Sequence, residues 1–543
     1  LNRLPKEISQ SRLVRAIPAR HEWHELKDHF RENSFKNKDE KPVRVRFESV
    51  TKQPVLTGFP HSVFATTKRR AQAAIQAVRK RLIRDSLCGY SLIFENILPS
   101  SFLAKIDPTT RQRSFGHLPV FWAWLAQLLE ANASCTKGLS LIQSWCRVLN
   151  LPVPGSDTSA YCRARKRIKN AFLIQIDQKI KQALNARIQP QNLWRGHQLK
   201  AIDGTKVTLM DTPGNQKAYP QHTSQKEGCG FPIMGIVGMV NLSHGGVEGF
   251  QTCGFRKHDA RVAPSLLKYI DPGDLILGDR AFCSYEFITR IILEKKGHVI
   301  MRLHQARHRK LDWRKGKKIS PNERLITWKK PAKQPAGSEL TAEQWSDLPA
   351  TLTLRYIKLG YENRAGEKAA LVVVTDLLDP IKYPAEEVAD LYMERWQIEV
   401  KFRDLKTTLG MERFAVKTPK MAHKTLRMMV IAHNLLRSVM QEAANKAGKK
   451  VHEMSVKSTQ CTLTSGHETF RGVTGKPRLT SQLYARLLDT CAEHQLDIRP
   501  FRREPRAIKR RPKNYQLLTS HRHVFKEVQH RSTAYRKKSP KAA

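Results

Sequence analysis

The chain has 543 residues, too many for one hydrophobic core and enough for roughly two to four domains. Its 96 Lys and Arg against 48 Asp and Glu leave a formal charge of +48 at pH 7, an excess that calls for a polyanionic partner and points to nucleic acid. The longest apolar run, Leu118–Leu129, is too short to span a bilayer, and no signal-peptide pattern opens the sequence.

Residues 1–60 are polar, basic and aperiodic and read as disordered. There is no Met before Met210, so the segment opening at Leu1 carries little weight. Thr66–Leu87 (TTKRRAQAAIQAVRKRLIRDSL) has the spacing of a basic amphipathic helix. Helical periodicity continues to about residue 190, broken at Pro152-Val-Pro154-Gly155, so 61–190 forms a helical region. From Leu199 the period changes. Leu199–Asp211 reads as a strand or strand pair, and Phe231–Cys253 holds two more strands around the turn Ser243–Gly246. His258–Ile270 reads as a helix and Asp274–Asp279 as a short central strand, apolar on both faces. Ser284–Lys296 follows as a helix and His298–His304 as a strand. Strands first, then alternating helix and strand, describe a mixed α/β sheet over 191–305.

Residues 306–385 carry a Lys/Gly/Pro-rich stretch and three β-like runs, Leu325–Trp328, Thr351–Leu359 and Ala369–Thr375, the composition of a β-rich insertion. The core resumes over 386–447 with a helix at Leu391–Leu409 and a long apolar helix at Lys420–Lys446. Residues 448–543 read as helical and end in a basic tail that includes Phe501–Tyr515. The nine cysteines are scattered without a C-x-x-C pair, which argues for reduced packing residues in a cytoplasm. No P-loop and no G-x-G-x-x-G occurs, so no nucleotide cofactor is expected.

The segment LYMERWQIEVKFRDLKTTL concentrates the chemistry. At about 100° per residue, Tyr392, Arg395, Glu399 and Lys406 share an arc of roughly 60° beside an apolar stripe of Leu391, Ile398, Phe402, Leu405 and Leu409. A carboxylate flanked by cations suits a metal ion facing a phosphate backbone. Two further acids fit the same purpose: Asp203 in the first strand, before Gly204-Thr205, and Asp279 at the carboxyl end of LILGD, before Arg280. Mg²⁺ takes hard oxygen ligands, and two such ions about 3.5–4 Å apart can drive an in-line displacement at phosphorus. Asp211, Asp271 and Asp274 read as turn or cap residues, Trp396 as packing, and His258 and His304 as hydrogen-bonded structural residues.

Tyr392, Arg395, Glu399 and Lys406 spell Y-x2-R-x3-E-x6-K, which resembles the signature of the DDE transposases of one large group of bacterial insertion sequences. Asp203-Gly-Thr is similar to that family's first-acid motif and Asp279-Arg280 to its second, with Ala281 where the family usually has Gly. The resemblance covers roughly residues 195–415. It implies a ribonuclease-H-like mixed-sheet core interrupted by the insertion, with helical N- and C-terminal regions. It implies that Asp203, Asp279 and Glu399 hold two divalent ions, Mg²⁺ with Mn²⁺ as a substitute. Tyr392, Arg395, Lys406 and Arg280 would contact DNA, and a homodimer would synapse two transposon ends before joining target DNA. An aromatic of the insertion flips a base in some relatives, for which Trp313, Trp328 and Trp345 are the candidates, but core packing explains each of these tryptophans just as well and is the preferred reading. Residues 61–190 would bind the element ends, in a cytoplasmic, nucleoid-associated enzyme. A metal-dependent nuclease without strand transfer, or an inactive derivative kept as a DNA binder, stays open beside the cut-and-paste reading.

Overall fold

Gly-interspersed, β-branched sequence between 199 and 254 builds the antiparallel half of the central sheet: β1 (Leu199–Leu209), β2 (Ile233–Asn241) and β3 (Val247–Gly254). In the computed structural model the described residues are 87, 89–109, 114–130, 133–149, 151–255, 259–362, 368–496, 520 and 524. The N-terminal segment 1–60, residues 66–86 of the basic helix, His258 and the basic tail 501–515 lie outside them.

Strands β4 (Leu275–Gly278) and β5 (His298–Arg302) run parallel to β1, giving the order β3-β2-β1-β4-β5. The insertion adds β6 (Lys317–Ser320), β7 (Glu323–Lys329), β8 (Thr351–Glu362) and β9 (Lys368–Thr375). It does not stand apart as a subdomain: β9 pairs antiparallel with β5, so the sheet continues as β9-β8-β7-β6. The two-residue β10 (Arg413–Phe414) pairs with the far end of β1, which brings the ten strands into one sheet.

The helices of the first region are α1 (Tyr90–Ile93), α2 (Ser100–Ile106), α3 (His117–Leu129), α4 (Cys135–Val148), α5 (Ser159–Arg167) and α6 (Asn170–Ala186). The apolar run Leu118–Leu129 is indeed a buried helix, with Phe121, Trp124, Leu125 and Leu129 fully enclosed. Each such side chain contributes about 1.5–3 kcal/mol of burial free energy. After β1 come α7 (Pro213–Ala218), α8 (Tyr285–Leu293), α9 (Gln305–Arg309) and α10 (Ala342–Ser346). The expected helix at 258–270 is two 3₁₀ turns, Asp259–Arg261 and Ala263–Tyr269, with Pro264 at the start of the second. A proline lacks the N–H that would extend the first turn into the second.

Then follow α11 (Ala385–Met393), α12 (Trp396–Arg403), α13 (Pro419–Ala447), α14 (Val456–Gly472) and α15 (Pro477–Glu493). Helix α13 is bounded by chemistry visible in the sequence. The Thr418 hydroxyl accepts from Met421 N–H, Pro419 opens the first turn, and Gly448 closes it at φ 65°.

Alternate residues of β1 face two cores. Ala201, Val207 and Leu209 join a large cluster that contains α3, α6 and α13, so the first helical region and the sheet share one interior. Ile202 faces the other side, where Val237, Leu266, Phe287 and Ile291 pack under α8. Among the described residues no helix is long and apolar enough to cross a membrane.

Candidate active site

The parallel register of β1 and β4 sets the first two acids side by side. Leu199, Lys200, Ala201 and Ile202 lie opposite Leu275, Ile276, Leu277 and Gly278, a constant offset of 76 residues. One step further the same offset matches Asp203 with Asp279, at the carboxyl end of β4. Neighbouring strands are about 4.8 Å apart, so these residues share one edge of the site. Asp279 starts a turn in which its carbonyl accepts from Phe282 N–H at 3.0 Å. Phe282 anchors that turn in the second core, and Arg280 points to solvent.

Glu399 comes from α12, which lies on the Asp203 face of the sheet. Its approach depends on Gly238, the β2 partner of Asp203: a Cβ there would sit 3.1 Å from the Phe402 ring of α12. The Asp203 carboxylate accepts from Gly204 N–H at 2.8 Å through Oδ1 and from Arg395 Nη1 at 3.5 Å through Oδ2. The same guanidinium donates through Nη2 to Glu399 Oε1 at 3.1 Å. One cation thus ties strand acid to helix acid.

The electrostatics connect all three carboxylates. Burial raises Asp203 above the usual carboxylate range; Gly204 N–H and Arg395 oppose this, while the negative charges of Glu399 and Asp279 add to it. Burial works against the charge of Arg395, but Tyr392, Asp203, Glu399 and Asp279 more than offset it and hold its pKa up. Tyr392 is buried, and burial pushes its phenol up to about 12 against the pull of Arg395. Among the described residues no three His, Cys, Asp or Glu side chains close into a ready cage for an ion, and Arg395 occupies the gap between two of the acids.

The other expected contacts stand differently. Lys406 is half-buried, which lowers its pKa; the charges acting on it are Glu412 and Lys206 rather than the three acids. The segment 391–409 is not one regular helix. Bonds from Glu394, Arg395, Gln397 and Ile398 N–H reach carbonyls three residues back, and Asp404–Thr408 forms a π turn. The tightening sits where Arg395 is held by Asp203. The widening sits where the Thr408 carbonyl accepts from Gln460 of α14. Lys406 therefore leaves the arc that uniform helical spacing assigns to it.

Trp396, read as packing, is 55 % exposed at the start of α12. Trp328 and Trp345 are buried, and Trp313 lies half-buried under Arg324, its Nε1 donating to the Pro321 carbonyl. His304 caps α9, where its Nδ1 accepts from Ala306 N–H. Sequence reasoning missed Asp259, whose carboxylate lies against Gly204: a Cβ there would be 2.2 Å from Oδ2. It also missed Gly238 and Phe402 as the pair that sets the distance of α12 from the sheet. The glycine was the available signal, since a glycine inside a strand marks close approach.

Residues 194–435 match the family described as the transposase DDE domain. The transposase InsG for insertion sequence element IS4 of Escherichia coli (strain K12) is 24% identical over 408 residues, which is 71% of this chain and 86% of that protein. The putative transposase InsZ of the same organism is 25% identical over 225 residues, 38% of this chain and 75% of that protein. Among solved structures, a piggyBac transposase synaptic complex with hairpin DNA aligns with a TM-score of 0.39 and 13% identity, covering 74% of this chain and 84% of that chain. Residues 194–435 thus carry a transposase DDE domain, and over most of its length the chain is similar to a transposase of a bacterial insertion sequence.

Proposed function

We propose that this enzyme carries out cut-and-paste transposition of an insertion sequence, cleaving the element ends and joining the freed 3′-hydroxyl to target DNA. The observation that supports this best is the gathering of Asp203, Asp279 and Glu399 around the Arg395 guanidinium. In this reading the core is ribonuclease-H-like, as the order β3-β2-β1-β4-β5 with an acid in β1 and another after β4 suggests.

The donor set fits divalent metal ions. Its members are hard carboxylate oxygens, the charges of Glu399 and Asp279 help to hold the Asp203 carboxyl above its usual range, and a cation already bridges two of the three. Asp203, Asp279 and Glu399 would hold the ions, Mg²⁺ by preference. Bound ions would supply an activated water or 3′-hydroxyl and stabilise the leaving oxygen. Arg395, released from its two acids, is free to bind a phosphate as a fork-shaped donor. Tyr392 keeps that guanidinium oriented from its buried side, while Arg280 and Lys406 neutralise the strand on either side of the acids. Helices α1–α6 would recognise the element ends, and a homodimer would hold two ends together.

The test is cleavage of labelled end DNA by wild type and Glu399→Gln in the presence of Mg²⁺. The substitution removes one charged ligand at nearly constant volume. End binding should persist while cutting falls by three orders of magnitude or more, on the order of 4 kcal/mol of barrier. Cleavage by Glu399→Gln at near wild-type rate removes the glutamate from the site. Supercoiled-target joining by the wild type then distinguishes a transposase from a nuclease.

A further inference from the structure

Two stretches far apart in the chain carry cations and no acids. Five Lys or Arg lie between Asp157 and Asp177, and six between Glu412 and Glu442, with no Asp or Glu among them. The fold joins the two. Lys424 of α13 donates from Nζ to the carbonyls of Lys166 and Ile168, each at 2.6 Å, at the C-terminal end of α5 where a cation is favoured. The charges of Arg167, Lys169 and Lys424 converge on His117. Ahead of α13, the Thr212 hydroxyl donates to the Lys417 carbonyl at 3.0 Å and Asn215 Nδ2 to the Val416 carbonyl at 2.9 Å. Arg413 in β10 is in register with Thr208 of β1. At about 3.4 Å per residue, Thr208 stands roughly 17 Å along the strand from Asp203, about half a turn of duplex DNA.

Lys166, Arg167, Lys169, Arg413, Lys417 and Lys420 are exposed, and among the described residues none of them has an ion-pair partner. Lys424 is half-buried, its ammonium taken up by the two carbonyls. The acids at the margin are Asp107, which also acts on His117, Asp211, which precedes Thr212, and Glu412, which precedes Arg413. Cations gathered for stability alone would be interspersed with acids, because like charges side by side repel. Here the fold brings like charges from two acid-free stretches together and leaves their counter-charge to a partner. Duplex DNA supplies it as a regular array, one negative charge for about every 1.7 Å of its axis.

We propose that Lys166, Arg167 and Lys169 around the end of α5 and Arg413, Lys417 and Lys420 in β10 and the start of α13 form one backbone track for the duplex of the element end, leading from the first helical region to the three acids. Lys424 fixes the two halves of the track to each other. The proposal rests on the transposition reading and adds to it the surface along which the duplex lies.

The experiment measures binding of a fluorescein-labelled duplex of about 30 base pairs, carrying the element end, to the full chain between about 50 and 200 mM salt. It compares wild type with Lys166→Gln/Arg167→Gln/Lys169→Gln and with Arg413→Gln/Lys417→Gln/Lys420→Gln. The control is Lys476→Gln/Arg478→Gln/Arg486→Gln, three exposed cations at α15. Each lost phosphate contact lowers the slope of log affinity against log salt by about 0.9, so each track variant should lose roughly 2–3 from the slope and the control none. All nine positions are exposed, so the Tm should stay at the wild-type value. Single methylphosphonate substitutions along the duplex then place the contacts. Phosphates that cease to matter in the Arg413 set should lie nearer the cleaved bond than those of the Lys166 set. An unchanged slope in either track variant, an equal loss in the control, or the reverse order of phosphates overturns the proposal. A loss confined to single-stranded RNA, with duplex binding intact, overturns the assignment to DNA. Normal Mg²⁺-dependent cutting with unchanged slopes overturns the track and leaves the transposition reading standing. Lowered slopes with no cutting by the wild type overturn the transposition reading and uphold the duplex surface.

Discussion

Replacing Gly238 with alanine should disturb the active site without touching any of its charged groups. The added Cβ would stand 3.1 and 3.2 Å from two atoms of the Phe402 ring, and 3.7 Å from the Gly249 carbonyl oxygen. Carbon atoms rest at about 3.5–4.0 Å, so the ring must retreat by roughly half an ångström while the strand neighbour can stay. Phe402 is buried, so its retreat moves α12 and with it Glu399, three residues earlier. Overpacking by one methyl costs about 1–3 kcal/mol, and the lower end applies because one ring can shift. At about 2–4 °C per kcal/mol the Tm falls by a few degrees. Misplacement of a catalytic group by about 1 Å costs up to 100-fold in rate, so half that shift should slow end cleavage by roughly tenfold. The assay pairs urea unfolding with single-turnover cleavage of end DNA, and includes Gly238→Ala/Phe402→Leu. The smaller side chain should restore most of the rate. If Gly238→Ala cleaves at the wild-type rate, or the double variant is slower than the single, contact between β2 and α12 does not set the glutamate's position.

Other consequences can be measured directly. Arg355 is fully buried in the added strands, where it pairs with Glu323 and donates to the Tyr383 carbonyl at 2.6 Å. Arg355→Met should destabilise the protein by about 3–5 kcal/mol in urea unfolding, since it strands a buried carboxylate. A loss below about 1 kcal/mol would refute that accounting. His298 is held above its ordinary 6.5 by its hydrogen bond to Asp376, against burial. Folded-state elevation means that this contribution is complete below pH 6.5 and is lost as pH rises through the folded value. Tm should therefore decline over that window in wild type and be flatter in Asp376→Asn; equal slopes would exclude the pair. Binding of DNA by so basic a chain should weaken steeply with salt, and an affinity constant between 50 and 200 mM would argue against phosphate contacts.

The strands were readable because their residues obey simple rules. LILGD is apolar on both faces because helices and turns cover both, and SHGG could only be a turn between two β-rich runs. The acids were readable by type and motif. Their meeting was not, because the shared offset of β1 and β4 is a property of pairing and leaves no trace in either strand alone. The segment 391–409 contains no Gly or Pro before Gly410 and has an unbroken apolar period, so nothing local announces its interruptions. They come from partners far along the chain: Asp203 on Arg395, and Gln460 on the Thr408 carbonyl. Trp396 was misjudged for a similar reason. A tryptophan beside an apolar stripe belongs to the core by composition, and only the orientation of α12 leaves it in solvent.

The pairing of β5 with β9 limits how the insertion can be removed. Ile300, Met301 and Arg302 are bonded on one side to β4 and on the other to Thr375, Val374 and Val373. Excising 306–375 as a cassette would bare the backbone donors and acceptors along that flank, beside the strand that carries Asp279's turn. A bare flank invites pairing with another chain. A shortened relative would need a substitute strand or a covering helix there, so loss of the appended hairpins alone predicts aggregation of the enzyme rather than a smaller working version.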